Sequence, residues 1–198
     1  MKETEMNAAI ASATEAATKL TVPTTVRRIV LTGFMGAGKT TVGRLLAERL
    51  GWEFLDLDAH IEARAEARIP AIFSEHGEAH FRRLESSALA NALARKQAVL
   101  ALGGGALEQL TNRLLLEQTP GTLVIHLDAP FPTLYDRCLL QSFASPDHIR
   151  PNLASPAEAE ARYQQRQPFF RRLARHSVPT AELTPTEAAE AIVAILTA

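Results

Sequence analysis

The octapeptide GFMGAGKT, residues 33–40, constrains this chain more than any other stretch. It follows the apolar run RRIVLT (27–32) and opens TTVGRLLAERLG (40–51), where Val42, Leu45, Leu46 and Leu50 recur at helical spacing until Gly51 ends the pattern. Apolar strand, glycine turn and helix in that order match G-x-x-x-x-G-K-[ST] in full. Gly33, Gly36 and Gly38 allow a turn whose N–H groups face inward as an anion nest. The helix that follows adds the positive end of its dipole. Lys39 brings a mobile cation for the outer phosphates, and the Thr40 hydroxyl is a ligand for Mg²⁺. A turn that merely capped a helix would account for the glycines but not for Lys39 followed by Thr40. The segment reads as a nucleoside triphosphate site, with Gly36, Ala37, Gly38, Lys39, Thr40 and Thr41 as its expected lining.

The same alternation continues along the chain. EFLDL (53–57), AVLAL (98–102) and TLVIHL (122–127) read as further strands, and 177–181 as a weak fifth. Helices are expected over 59–96, in pieces broken near Pro70 and Gly77, then between the third and fourth strands, and over 131–141, 157–175 and 185–196. Alternating elements imply an α/β fold with a parallel sheet covered on both faces and ligands at the carboxyl ends of its strands. With 198 residues, 46% of them apolar, there is enough chain for one such domain. That domain is expected over 27–198. Residues 1–26 are expected to be a poorly ordered extension, because Glu3, Glu5 and Glu15 interrupt an Ala- and Thr-rich stretch that lacks the apolar centre of a signal peptide. Residues 142–157, SFASPDHIRPNLASPA, carry no periodicity and read either as a lid or as a surface insertion.

The charge balance narrows the partners. A formal net charge of −1 predicts neither a nucleic-acid surface nor a polybasic membrane contact, and no apolar run approaches the roughly 20 residues of a membrane span. The one cysteine, Cys138, excludes an internal disulfide and fits a reducing, cytoplasmic setting.

FLDLDAHIE (54–62) sets Asp56 and Asp58 two apart, on one side of the chain if it is extended there. Like charges so close call for a cation, a donor or a reacting proton between them. Asp56 suits Mg²⁺ through water, since Mg²⁺ prefers one or two carboxylates plus phosphates and water. Asp58 is then left for a substrate hydroxyl, or for capping a helix that begins at Ala59. Arg82 stands four after Glu78 and three before Glu85, a spacing that fits either a helix-surface ion pair or a guanidinium fork for a bound carboxylate. HGEAH (76–80) sets His76 and His80 four apart, but Gly77 stands where a zinc-protease helix has its glutamate, which argues against zinc. His126 reads as a core or edge residue. There is no N-K-x-D segment for guanine, and the chain is short for a motor ATPase; a small-metabolite kinase fits better.

Over roughly residues 27–197 the chain resembles the shikimate kinase family. The resemblance rests on GFMGAGKTTVGRLLA, FLDLDAHIE, IFSEHGEAHFRRLE (72–85), LALGGGAL (100–107), IRP (149–151) and RYQQRQPFF (162–170), in that order. It implies a three-layer P-loop fold with a five-stranded parallel sheet in the order 2-3-1-4-5, flanked by helices, with a lid at about 142–157. It also implies ATP-dependent phosphorylation of the 3-hydroxyl of shikimate, a step towards chorismate and the aromatic amino acids, by a monomer with ATP and Mg²⁺. Carried over position by position, Asp58 matches the aspartate at the substrate hydroxyls. Arg82 and Arg166 match the arginines on the substrate carboxylate, and Glu85 the glutamate that orients Arg82. Gly103, Gly104 and Gly105 match the glycine run of the pocket. Arg150 matches the lid arginine at the transferred phosphate, and Arg137 the arginine against adenine. Two departures stand out: Asn152 replaces a leucine in the lid, and AELTPTE after the fifth strand lacks the usual basic residues. Two other readings are a kinase of another small hydroxy acid such as gluconate, and an effector-binding domain of a transcription regulator. The latter would need a helix-turn-helix domain in front, for which residues 1–26 are too short and too acidic.

Overall fold

A computed structural model describes residues 22–144 and 155–197. Five strands form one parallel sheet, β1 Arg28–Thr32, β2 Glu53–Asp56, β3 Ala98–Ala101, β4 Thr122–Asp128 and β5 His176–Pro179, in the order β2-β3-β1-β4-β5. β1 is central, with Val30 in register with Leu100 on one side and Val124 on the other. Ile29, Val30 and Leu31 are all buried in succession, because helices cover both faces and no face is left for alternating polar residues. The outer strand β2 is only partly covered.

Seven α-helices flank the sheet among the described residues: α1 Lys39–Leu50, α2 Leu57–Ala65, α3 Ile69–Leu93, α4 Leu110–Gln118, α5 Phe131–Ala144, α6 Pro156–Leu173 and α7 Pro185–Thr197, with a 3-10 turn at Ala106–Glu108. None of them is long and apolar enough to cross a membrane. Val22 and Val26, at the end of the expected extension, pack against the core; residues 1–21 lie outside the described residues. So does most of the expected lid, including Arg150 and Asn152.

Two local readings change. The second strand stops at Asp56 and Leu57 already belongs to α2, so Asp56 and Asp58 do not share one extended segment. The cause is the Asp56 side chain, which accepts from the N–H groups of Asp58 (3.1 Å) and Ala59 (3.3 Å). Asp56 is therefore the N-cap, and Asp58 lies inside the first turn rather than before it. The expected break near Pro70 falls earlier, at Glu66, which ends α2 in a left-handed conformation; Pro70 sits in the first turn of α3, where its missing N–H costs nothing.

The break at Gly77 takes the form of a bend within α3. Gly77 has φ 76° and ψ 169°, a region open essentially to glycine, and Phe73 and Phe81 meet across the bend with ring centroids 4.7 Å apart. Beyond it, Phe81, Glu85, Ala88, Leu89 and Ala92 bury one helical face. Gly77→Ala is expected to cost about 1–3 kcal/mol, read as a lower thermal midpoint; an unchanged midpoint would show that α3 straightens freely.

Candidate active site

The phosphate loop joins β1 to α1. Gly38 caps α1 at φ 89°, with no side chain hydrogen-bonded over the helix end, so the first N–H groups of α1 keep their positive end towards the loop. A Cβ on Gly36 would stand 2.4 Å from the Leu134 carbonyl oxygen, so α5 closes directly on the loop. Lys39 Nζ arches back to donate to the carbonyls of Gly33 (2.8 Å) and Phe34 (3.0 Å). Ala37 is buried, while Thr40 and Thr41 are exposed in the first turn of α1. The Thr40 hydroxyl donates to Asp56 Oδ2 at 2.6 Å, which joins the end of β2 to the start of α1. Hydroxyl and carboxylate oxygens beside an anion nest are the hard donors that Mg²⁺ takes, so these residues fit that ion.

The glycine run after β3 marks where the other expected residues meet. A Cβ on Gly103 would lie 2.5 Å from Asp58 Oδ1 and 3.2 Å from Glu85 Oε1. One on Gly105 would lie 2.8 Å from Arg82 Nη2 and 3.2 Å from Arg166 Nη2, and one on Gly104 would lie 3.8 Å from the Met35 nitrogen of the phosphate loop. Side chains from α2, α3 and α6 thus converge on one backbone segment that has no room for a side chain at Gly103 or Gly105. Arg137 stands apart from this group: its Nη2 donates to the carbonyls of Thr180 (2.6 Å) and Ala181 (3.1 Å), holding the loop after β5 against α5.

Both ion pairs read from the spacing around Arg82 form, to Glu85 at 2.9 Å and Glu78 at 3.0 Å. The helix-surface reading fails, because the Arg82 side chain is only 13% exposed. Burial works against its charge, but Glu85, Glu78 and Glu108 hold its pKa above the ordinary value. Glu85 is 1% exposed, and burial pushes its carboxyl up to about 7 against the pull of Arg82, with the charges of Asp58 and Glu108 adding to the rise.

Sequence reasoning missed two residues here. Glu108 reaches Arg166 Nε with Oε1 (2.8 Å) and Arg82 Nη2 with Oε2 (3.4 Å). Its position one residue beyond LALGGGAL carried no signal, since its partners are 26 and 58 positions away. Phe34, an unspecified position of the phosphate-loop motif, is buried. It meets Tyr163 edge-on at 5.5 Å and lies under the Arg166 guanidinium at 5.8 Å, tying the loop to α6.

A family model described as shikimate kinase matches residues 35–197. The chain belongs to the shikimate kinase family. That family consists of ATP-utilising kinases, and the fold here is its P-loop kinase fold. The chain is 44% identical over 165 residues to the shikimate kinase of Thermobifida fusca, covering 82% of this chain and 91% of that one. It is 44% identical over 170 residues to that of Salinispora tropica, covering 84% and 96%. Among solved structures it is similar to shikimate kinase from Acinetobacter baumannii in complex with shikimate, at TM-score 0.77 and 37% identity over 86% of this chain and 93% of that one.

Folded Glu85 keeps its proton up to about pH 7, whereas an ordinary carboxyl releases it near 4.5. Folding therefore takes up a proton between those values. The Glu85 contribution to stability is fully present below 4.5 and is lost as pH rises through 7. At about 1.4 kcal/mol per pH unit the loss is on the order of 3 kcal/mol. Denaturant unfolding across this range is expected to show the decline, and Glu85→Gln to flatten it; an equal slope in both proteins would remove Glu85 as its source.

Proposed function

We propose that this chain transfers the γ-phosphoryl group of ATP to the 3-hydroxyl of shikimate, giving shikimate 3-phosphate and ADP on the route to chorismate and the aromatic amino acids. The observation that carries this reading is the convergence at residues 103–105. There, two guanidinium groups, one partly buried aspartate and a main-chain nitrogen of the phosphate loop border the same three glycines. A small polyol with one carboxylate needs that combination, with cationic forks for the acid at one end and a proton acceptor near the phosphates at the other.

In this reading Arg82 and Arg166 bind the substrate carboxylate, Glu85 orients Arg82, and Gly103, Gly104 and Gly105 admit the ring close to the backbone. Asp58 accepts a hydrogen bond from the reacting hydroxyl and takes its proton as the new O–P bond forms and the bond to ADP breaks. Gly36, Ala37, Gly38, Lys39, Thr40 and Thr41 hold the phosphates, with the Lys39 charge placed where negative charge shifts during transfer. Thr40, and Asp56 through water, would hold Mg²⁺, which when bound neutralises charge on the outer phosphates. Arg137 faces adenine and Arg150 reaches the transferred phosphate; for Arg150 the support is the family motif alone. A monomer in the cytoplasm completes the proposal; the location is supported by a sequence whose single cysteine, Cys138, excludes an internal disulfide.

A coupled ADP-release assay across shikimate, quinate and gluconate, with and without Mg²⁺, is expected to show turnover that depends on shikimate and on the metal. Preference for gluconate would overturn the substrate assignment. Lys39→Ala is expected to lower kcat at least ~10²-fold with an unaltered circular dichroism spectrum; retained turnover would take Lys39 out of the mechanism.

A further inference from the structure

The two arginines assigned to the substrate acid already share a carboxylate of this chain. Arg82 makes four hydrogen bonds to Glu78, Glu85 and Glu108, and Glu108 alone spans from Arg82 to Arg166. The arginine side chains are 13% and 12% exposed, and two largely buried guanidinium groups this close repel unless an anion lies between them. Glu78 lies outside the pair, 65% exposed, and among the described residues the Glu85 ion pair is with Arg82.

The 3-10 turn that carries Glu108 is anchored. Asn112 Nδ2 donates to the Ala106 carbonyl (2.9 Å). Arg113 Nη1 donates to those of Leu107 (2.6 Å) and Glu108 (2.9 Å), and its guanidinium lies over Phe169 of α6 at 4.6 Å. With the backbone held, the side-chain torsions of Glu108 are its moving part. Beside it is a cavity of about 400 Å³ whose wall also includes Arg162, so a displaced carboxylate has space and a second cation nearby.

Resting on the shikimate kinase reading, we propose that Glu108 is an internal competitor for the substrate's acid group. It bridges Arg82 and Arg166 until the substrate carboxylate replaces it, and so sets the affinity for the acid. The test compares wild type, Glu108→Gln and Glu108→Asp. Glu108→Gln keeps the shape and removes the charge. It is expected to lower the KM for shikimate by ~10-fold, the size of one charged hydrogen bond lost to the competitor, with KM moving more than kcat and the KM for ATP unmoved. Without substrate its thermal midpoint should fall, and saturating shikimate should raise that midpoint by more than it does in wild type. Glu108→Asp, charged but shorter, should fall between the two. A raised KM in Glu108→Gln would make Glu108 a supporting contact and overturn the proposal, and an unmoved KM would overturn it equally. Wild type that releases no ADP with shikimate would instead refute the functional reading, and this inference with it.

Discussion

Two like-charged guanidinium groups held together in a largely buried place are the constraint on which the site depends. Arg82 comes from α3 and Arg166 from α6, yet both reach the point where a side chain on Gly105 would begin. Such a pair persists only when anions surround it. Glu108 from the 3-10 turn and Glu78 from α3 meet that need, and Glu85 joins them as its carboxyl ionises around pH 7. Burial in the same place raises the Glu85 pKa against the pull of Arg82, and the charges of Asp58 and Glu108 add to the rise. Proton uptake on folding, and the parts in substrate binding proposed for Arg82, Arg166 and Glu108, rest on one electrostatic cluster.

The sheet makes the cluster possible. Because β1 lies between β3 and β4, the loop after β1 and the glycine run after β3 emerge side by side at one edge, with the end of β2 next in line. Parallel strands all present their carboxyl ends there. Thr40 can then touch Asp56 across 16 positions of sequence, and the Met35 nitrogen can border Gly104. The Asp56 cap adds a local consequence. By taking two N–H groups of α2 with one oxygen and the Thr40 hydroxyl with the other, it leaves the Asp58 side chain to face Gly103.

The fold was legible where local pattern and long-range demand agree. The glycine turn between an apolar run and an amphipathic helix, and the alternation that followed, implied a parallel sheet; the strand order came from family resemblance. Misreadings arose where side chains act on backbone a few residues away. Asp56 ended its strand a residue early, and Pro70 proved to be a tolerated first-turn residue rather than a break. For Arg82 the spacing named two of its carboxylate partners correctly but not its burial, which depends on how α6 and the 3-10 turn cover that part of α3.

What the sequence alone determined is the phosphate loop, because a nest, a helix end, a lysine and a hydroxyl lie within eight consecutive residues and their chemistry needs no distant partner. Only the tertiary structure decided that Glu108 stands between Arg82 and Arg166. That contact depends on the bend at Gly77, the anchoring of the 3-10 turn by Asn112 and Arg113, and the approach of α6. Charges separated by dozens of residues interact strongly only when folding brings them within a few ångströms and removes the water between them.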